Sequence, residues 1–312
     1  MTTNSNQAPF PIDVERTAIA IAYRNPAYIA DAVLPRVTVG KKTFTYNVFP
    51  VAESFTLPDT RVGRRSRPNV INLSATEASA SCEDYGLDDL IPQDDIDNAP
   101  QGHKPLDRST MQLADYVALD REVRAASLVF AAASYATGCK TTLSGTSQFS
   151  HADSDPISVI LTGLDACLIR PNIGVFGQAV WTKIATHPKI VAAVNRNSGD
   201  KGIATREDVA KLFELEEVFV GQSRLNTARK GQTATLSRVW GKHGALLYRD
   251  KMADTRGGIT FGFTAEYGTR ISGGKPDGDI GIRGGIQNRV AESVKELIVA
   301  SQAGYFIEDA VA

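Results

Sequence analysis

The pattern of apolar and polar positions divides the chain into stretches of different period. From Thr43 to Val48, Thr43, Thr45 and Asn47 alternate with Phe44, Tyr46 and Val48. A period of two is that of a half-buried strand. Val39–Val51 and Val70–Cys82 share this strand-like composition, and Val70, Ile71 and Leu73 restart extended structure after a break. Pro50, Pro58 and Pro68 punctuate the region, so it reads as bent and edge-type, not as the centre of a sheet. Farther on the period changes. Over Asp107–Ala136, Leu113, Tyr116, Val117, Val123, Ala126, Val129, Phe130 and Ala133 form a helical stripe. Neither Pro nor Gly interrupts it, and Gly138 stands where a C-terminal cap would. The spacing predicts one helix of about thirty residues, roughly 45 Å long at 1.5 Å per residue.

Shorter signals fill the rest. Asp13 can cap a helix in which Val14, Ala18, Ile21 and Ala22 recur; Pro26 interrupts it and Pro35 ends it. Pro100–Pro105 reads as a hinge and Lys140–Asp155 as a polar loop. Asp155-Pro156 opens a helix to about Ile169. Asn172–Val175, Val218–Val220 and Ala245–Tyr248 read as strands, and Ala179–Thr186 and Lys189–Val194 as helices. Thr205–Leu212 is a helix whose Thr205 and Asp208 form a capping box. Ten glycines fall between Gly257 and Gly285, which predicts turns and short strands. Val290–Ala300 alternates, and Tyr305–Ile307 is a last apolar patch. Met1–Pro11 has little to bury and reads as flexible.

At 312 residues the chain can bury a sizeable core. The net charge of −1 argues against a globally basic nucleic-acid binder. No apolar run reaches the length of a membrane span, and Met1–Pro11 is polar, without the basic-then-apolar order expected of a signal peptide. Cys82, Cys139 and Cys167 are odd in number and widely spaced, which indicates neither a disulfide framework nor a zinc site.

Charge matters locally. Arg61, Arg64, Arg65 and Arg67 form a basic run without an acidic residue between Asp59 and Glu77. An acidic block follows: Glu83, Asp84, Asp88, Asp89, Asp94, Asp95 and Asp97. A segment with this composition has too little apolar surface to fold on itself and points to assembly. The arginines fit a solvated loop tip, a nucleic-acid contact, or pairing with the acidic block of another subunit. Forked guanidinium–carboxylate geometry favours the last, and the lack of interleaved aromatic residues speaks against single-strand stacking. Asp94, Asp95 and Asp97 lack the spacing and glycine of a calcium loop and read as a solvated or partner-facing patch. Gly281-Ile282-Arg283-Gly284-Gly285 has no following Lys-Ser/Thr and reads as a turn. His103, His151, His187 and His243 are isolated from one another, and no nucleophile motif occurs. We therefore expect no catalytic, cofactor or metal site.

The order of parts is an N-terminal arm, a long extended hairpin, a long helix and a mixed α/β half. This resembles the HK97-like major capsid proteins of tailed bacteriophages. Pro171-Asn172-Ile173-Gly174-Val175, then Trp181 and His187-Pro188-Lys189-Ile190, resembles the entry into that family's axial domain. Leu212-Phe213-Glu214-Leu215, Val218-Phe219-Val220-Gly221, Leu225-Asn226-Thr227-Ala228 and Trp240-Gly241-Lys242 are similar to stretches of phage and prophage capsid proteins.

The resemblance implies an α+β fold with an N-terminal arm (1–40), an extended loop (41–97) and a peripheral domain (98–170) with a spine helix (104–137). An axial domain (171–285) and a C-terminal return to the peripheral domain (286–312) complete it. It implies a shell subunit that forms pentamers and hexamers of an icosahedral head around double-stranded DNA. Such a subunit assembles in the bacterial cytoplasm with a separate scaffolding protein, a portal and, in some relatives, a decoration protein. Arg61, Arg64, Arg65 and Arg67, with Asp84, Asp88, Asp89, Asp94, Asp95 and Asp97, are the candidate contacts between subunits. Some relatives crosslink through a lysine of the extended loop; none occurs here between Lys42 and Lys104, so the loop is expected to hold by non-covalent contacts. The short polar stretch before the first helix is expected to mean a mature form or a separate scaffold. An encapsulin-like compartment is the alternative within the fold, and a soluble α/β enzyme is the remote one.

Overall fold

The computed structural model describes residues 10–48, 57–70, 76–194, 202–229 and 231–312. The expectations for Met1–Pro11 fall almost wholly outside these residues, and those for Pro50, Ile71 and Leu73 fall outside them entirely.

The interrupted N-terminal helix is two helices. In α1 (Val14–Ala22), the Asp13 carboxylate accepts from the N–H groups of Glu15 and Arg16; α2 (Ala30–Val33) follows the Pro26 break. Next come β1 (Arg36–Val39), β2 (Thr43–Val48), β3 (Thr76–Ser81) and β4 (Glu83–Pro92). Then come α3 (Gln93–Asp97) and the long α4 (Pro105–Val129). The second half runs β5 (Lys140–Thr142), α5 (Pro156–Ala166), β6 (Ile173–Gly177), α6 (Gln178–Thr186), α7 (Pro188–Val194) and α8 (Arg206–Leu212). It continues with β7 (Glu217–Gly221), β8 (Arg224–Asn226), β9 (Leu236–Arg238) and β10 (Gly244–Leu247). The last strands are β11 (Gly262–Tyr267), β12 (Ile271–Asp277), β13 (Gly285–Ile298) and β14 (Gly304–Glu308).

Two five-stranded sheets organise the chain. In the first, β13 pairs antiparallel with β4 along one side and with β11 and β12 along the other, and β1 lies parallel beside β11. Its inward series Asn288, Val290, Glu292 and Val294 keeps the period-two rule with two polar members. Helices α4 and α1 pack on this sheet. The second sheet has the order β5-β14-β10-β6-β7. Its core includes Phe149, Ile160, Phe176, Ile184, Phe213 and Leu246. A further cluster joins the two units: Leu34, Ala125 and Val129 meet Ile173, Val175, Trp240, Phe261 and Phe306.

Strand pairing distributes the segments differently from the sequence reading. The hairpin strands end at Ser81, and β4, with most of the acidic block, belongs to the first sheet. Strands β11 and β12 join that sheet, while β14 sits inside the second sheet beside β10. The spine helix also ends early, at Val129 and not near Ala136. Tyr135 turns inward, stacks on Phe261 and Phe306, and donates its hydroxyl to the Val129 carbonyl; Ser134 does the same at Leu128. Burying that ring and satisfying the helix's last carbonyls outweighs the helical propensity of the alanines.

Candidate assembly surfaces

The extended hairpin is built from β2 and β3, paired in register from Thr43↔Ser81 to Val48↔Thr76. Its root is fixed. Phe44 is buried, Tyr46 meets Phe263 edge-on, and the Asn47 N–H and side-chain amide donate to the carbonyls of Thr255 and Arg256 at 3.0 and 3.2 Å. Farther out, residues 59–70 are exposed, and their contacts are local. Asp59 accepts from the Arg61 N–H, the Ser66 N–H donates to Gly63, and Asn69 donates to the Asp59 carbonyl. Among the described residues, no carboxylate lies within ion-pair distance of Arg61, Arg64, Arg65 or Arg67.

The acidic block has a different fate. Because β4 lies against β13, its carboxylates face basic residues about 200 positions away. Asp88 accepts from Nε and Nη2 of Arg289 at 2.6 Å each, and from Gln287. These hydrogen bonds, led by that of Arg289, hold the Asp88 carboxyl below its usual range. Glu83 pairs with Lys295, Asp94 with Arg283, and Asp84 with Lys42 and the Ser293 hydroxyl. Asp89 accepts from Ser109 and Asp97 from Gln93. Asp89 and Asp95 line an open groove of about 420 Å³ between β4, α3 and the start of α4. The basic run and the acidic block are thus not brought together within one chain.

Sequence reading missed the groups that lock the arm to the body. Arg36 and Arg270 both converge on Oε2 of Glu292, which is 2% exposed, at 3.0–3.2 Å. Arg36 also pairs with Asp31 and Glu266, and Arg121 pairs with Asp31 and donates to Thr264 Oγ1 and the Leu34 carbonyl. Glu122 is fully buried and accepts from the N–H groups of Ile29 and Ala30 at the start of α2, and from the Trp240 indole at 2.5 Å. The available signal was positional: Arg121 continues the inward series Leu113, Ala114, Val117, and a charge on such a stripe needs a buried partner.

Acid dependence follows from these pairs. Burial alone would raise the carboxyls of Asp31 and Glu292, but Arg121 and Arg36 hold Asp31 at about 2, and Arg36, Arg270 and Arg121 hold Glu292 below its usual range. A carboxyl lowered by folding stabilises above its unfolded value and loses that contribution as pH falls through its folded one. Glu122 has the opposite sign, since burial raises it against its N–H donors. The difference in unfolding temperature between wild type and Asp31→Asn should therefore be constant near neutrality and shrink as pH falls from about 4 towards 2. A difference that stays constant across this window in thermal melts would contradict the pairing.

Over 307 residues, 98% of its length, the chain is 52% identical to the major capsid protein of Pseudomonas phage JBD67, of which 99% is covered. The chain belongs to the phage major capsid proteins. A second capsid relative, from Burkholderia phage BcepMu, is 29% identical over 249 residues, covering 76% of each chain. No family model matches. A phage-related protein of Bordetella bronchiseptica RB50 superposes with a TM-score of 0.76 at 22% identity, covering 97% of this chain and 99% of that one. The mature capsid of bacteriophage PhiM1 gives 0.57 at 7% identity, covering 99% and 90%. The fold is HK97-like, as the order of parts had implied. This capsid protein therefore builds a virion shell from copies of itself, and surfaces without a partner in the single chain acquire meaning as contacts between copies.

Proposed function

We propose that this capsid protein forms the pentamers and hexamers of an icosahedral head that encloses double-stranded DNA. Residues 14–48, 83–129 and 262–298 serve as its peripheral part, and residues 140–247 with 304–308 as its axial part. The extended hairpin lies over an adjacent subunit, and Arg61, Arg64, Arg65 and Arg67 pair with carboxylates there. Asp89 and Asp95 are the favoured acceptors, because Asp84, Asp88 and Asp94 already hold cations of their own chain. Similarity over nearly the full length, at 52% identity, to the major capsid protein of Pseudomonas phage JBD67 carries this reading. Assembly takes place in the host cytoplasm with a separate scaffolding protein and a portal, and a decoration protein is a further candidate partner.

Negative-stain microscopy of the purified protein tests it. Closed shells or ring-shaped capsomers are the expected result; uniform particles of monomer size under all assembly conditions would overturn it. Particles filled with an enzyme instead of DNA would move the protein to the encapsulin-like alternative.

A further inference from the structure

Between Glu217 and Arg249 the chain carries Arg224, Arg229, Lys230, Arg238 and Lys242 and not one Asp or Glu, in a protein whose net charge is −1. The middle of this stretch is the two-stranded ribbon β8–β9, which follows β7, the edge strand of the second sheet. Its register sets Arg224 directly opposite Arg238. Like charges facing each other across a ribbon are destabilising. Both side chains are exposed, as are Arg229 and Lys242, and among the described residues none of the four has a carboxylate within ion-pair distance. Hydrogen bonds nevertheless tie the two strands and their root together. Asn226 Oδ1 accepts from the N–H groups of Ala228 and Thr235, Thr227 donates to the Thr235 carbonyl, and Val239 donates to Ser223 at the root. That root is anchored by Trp240, which is fully buried on Glu122. A hydrogen-bonded ribbon on a buried root thus holds guanidinium groups in solvent that have no ionic partner among the described residues, an arrangement suited to a polyanion.

Two polyanions are available to a shell subunit, nucleic acid and the acidic surface of another copy. The ribbon's composition separates them. Protein interfaces concentrate energy in buried aromatic and aliphatic anchors. From Arg224 to Arg238 there is no aromatic residue, and Leu225 and Leu236 are the only large apolar ones. The other side chains include Asn226, Thr227, Gln232, Thr233, Thr235 and Ser237, neutral donors of the kind that accompany arginine on phosphate oxygens. With no base-reading geometry required, such a surface binds the backbone irrespective of sequence.

We propose that the Arg224–Arg238 ribbon contacts the phosphate backbone of packaged double-stranded DNA, a role that rests on the reading of the protein as a DNA-enclosing head. The test titrates full-length protein, kept below its assembly concentration, against a fluorescent random-sequence duplex over a range of salt. Replacing three arginines, in R224Q/R229Q/R238Q, should weaken binding at least about tenfold at low salt. It should also reduce the slope of log affinity against log salt by about 2.7, three contacts at roughly 0.9 each. Should the triple variant lose its circular-dichroism melt, R229Q alone, at the ribbon tip, should reduce the slope by about 0.9. Wild-type protein without duplex affinity, or variants with unchanged affinity and slope, would overturn the proposal. Unchanged duplex binding combined with loss of shells would assign the ribbon to a contact between copies. Failure of wild-type protein to form shells by microscopy counts against the head reading and leaves the duplex titration to decide the ribbon separately.

Discussion

The double variant Arg64→Glu/Arg65→Glu will fold as a monomer and fail to close shells. The two positions are exposed at the hairpin tip, and among the described residues they have no ionic partner in their own chain, so reversal disturbs no intramolecular pair. On a neighbour it changes two positive charges into two negative ones. Against carboxylates such as Asp89 and Asp95, each attraction becomes a repulsion. An exposed pair is worth only about 0.2–1 kcal/mol. A closed shell repeats it at every copy, so a small change per contact moves the assembly equilibrium far. Arginine forks also fix orientation, so Arg64→Lys/Arg65→Lys should assemble, but less well than wild type. Far-UV circular dichroism with an unchanged melt, together with an absence of particles by microscopy at physiological salt, is the expected pair of results. Particles of normal form and yield from the glutamate variant would rule out the charge-pairing model.

The second large effect is on the single chain. Glu122→Ala will lower the unfolding temperature by on the order of 10 °C, since about 3–5 kcal/mol is typical for removing one partner of a buried charged network. The alanine leaves the N–H groups of Ile29 and Ala30 and the Trp240 indole N–H without their acceptor, all in a site closed to water. Each orphaned donor costs about 1–3 kcal/mol. Glu122→Gln retains one acceptor oxygen but turns an amide nitrogen towards donors, so its loss should fall between wild type and alanine. Differential scanning calorimetry checks the order. An alanine variant that melts within about 2 °C of wild type would show that the arm, the spine helix and Trp240 are held together by packing alone.

These two variants probe parts of the molecule that differ in how visible they were in the sequence. The hairpin strand at Thr43–Val48 was legible because alternation is a property of adjacent residues. So were the Asp13 cap and the Thr205–Asp208 capping box, each settled within three positions. The basic run was legible as a surface feature, and residues 59–70 are exposed. The acidic block was legible as charge but not as destination, because Asp88 and Arg289 are 201 positions apart. Glu122 gave only the faint sign of a charge on an apolar stripe, since its partners at Ile29, Ala30 and Trp240 lie 93, 92 and 118 positions away.

By itself, then, the sequence determined the local elements, the lysine-free basic tip of the hairpin, and the order of parts by which the chain resembles phage capsid proteins. The tertiary structure decided three further matters. It placed β4 in the first sheet, inserted β14 beside β10 in the second, and ended the spine helix at Val129, where Tyr135 turns into the core. The physical reason is range. Caps, alternation and helical stripes are won or lost among neighbours along the chain. The choice of strand partner, buried ion pair and helix end depends on which distant residues offer the better burial and the missing hydrogen bond.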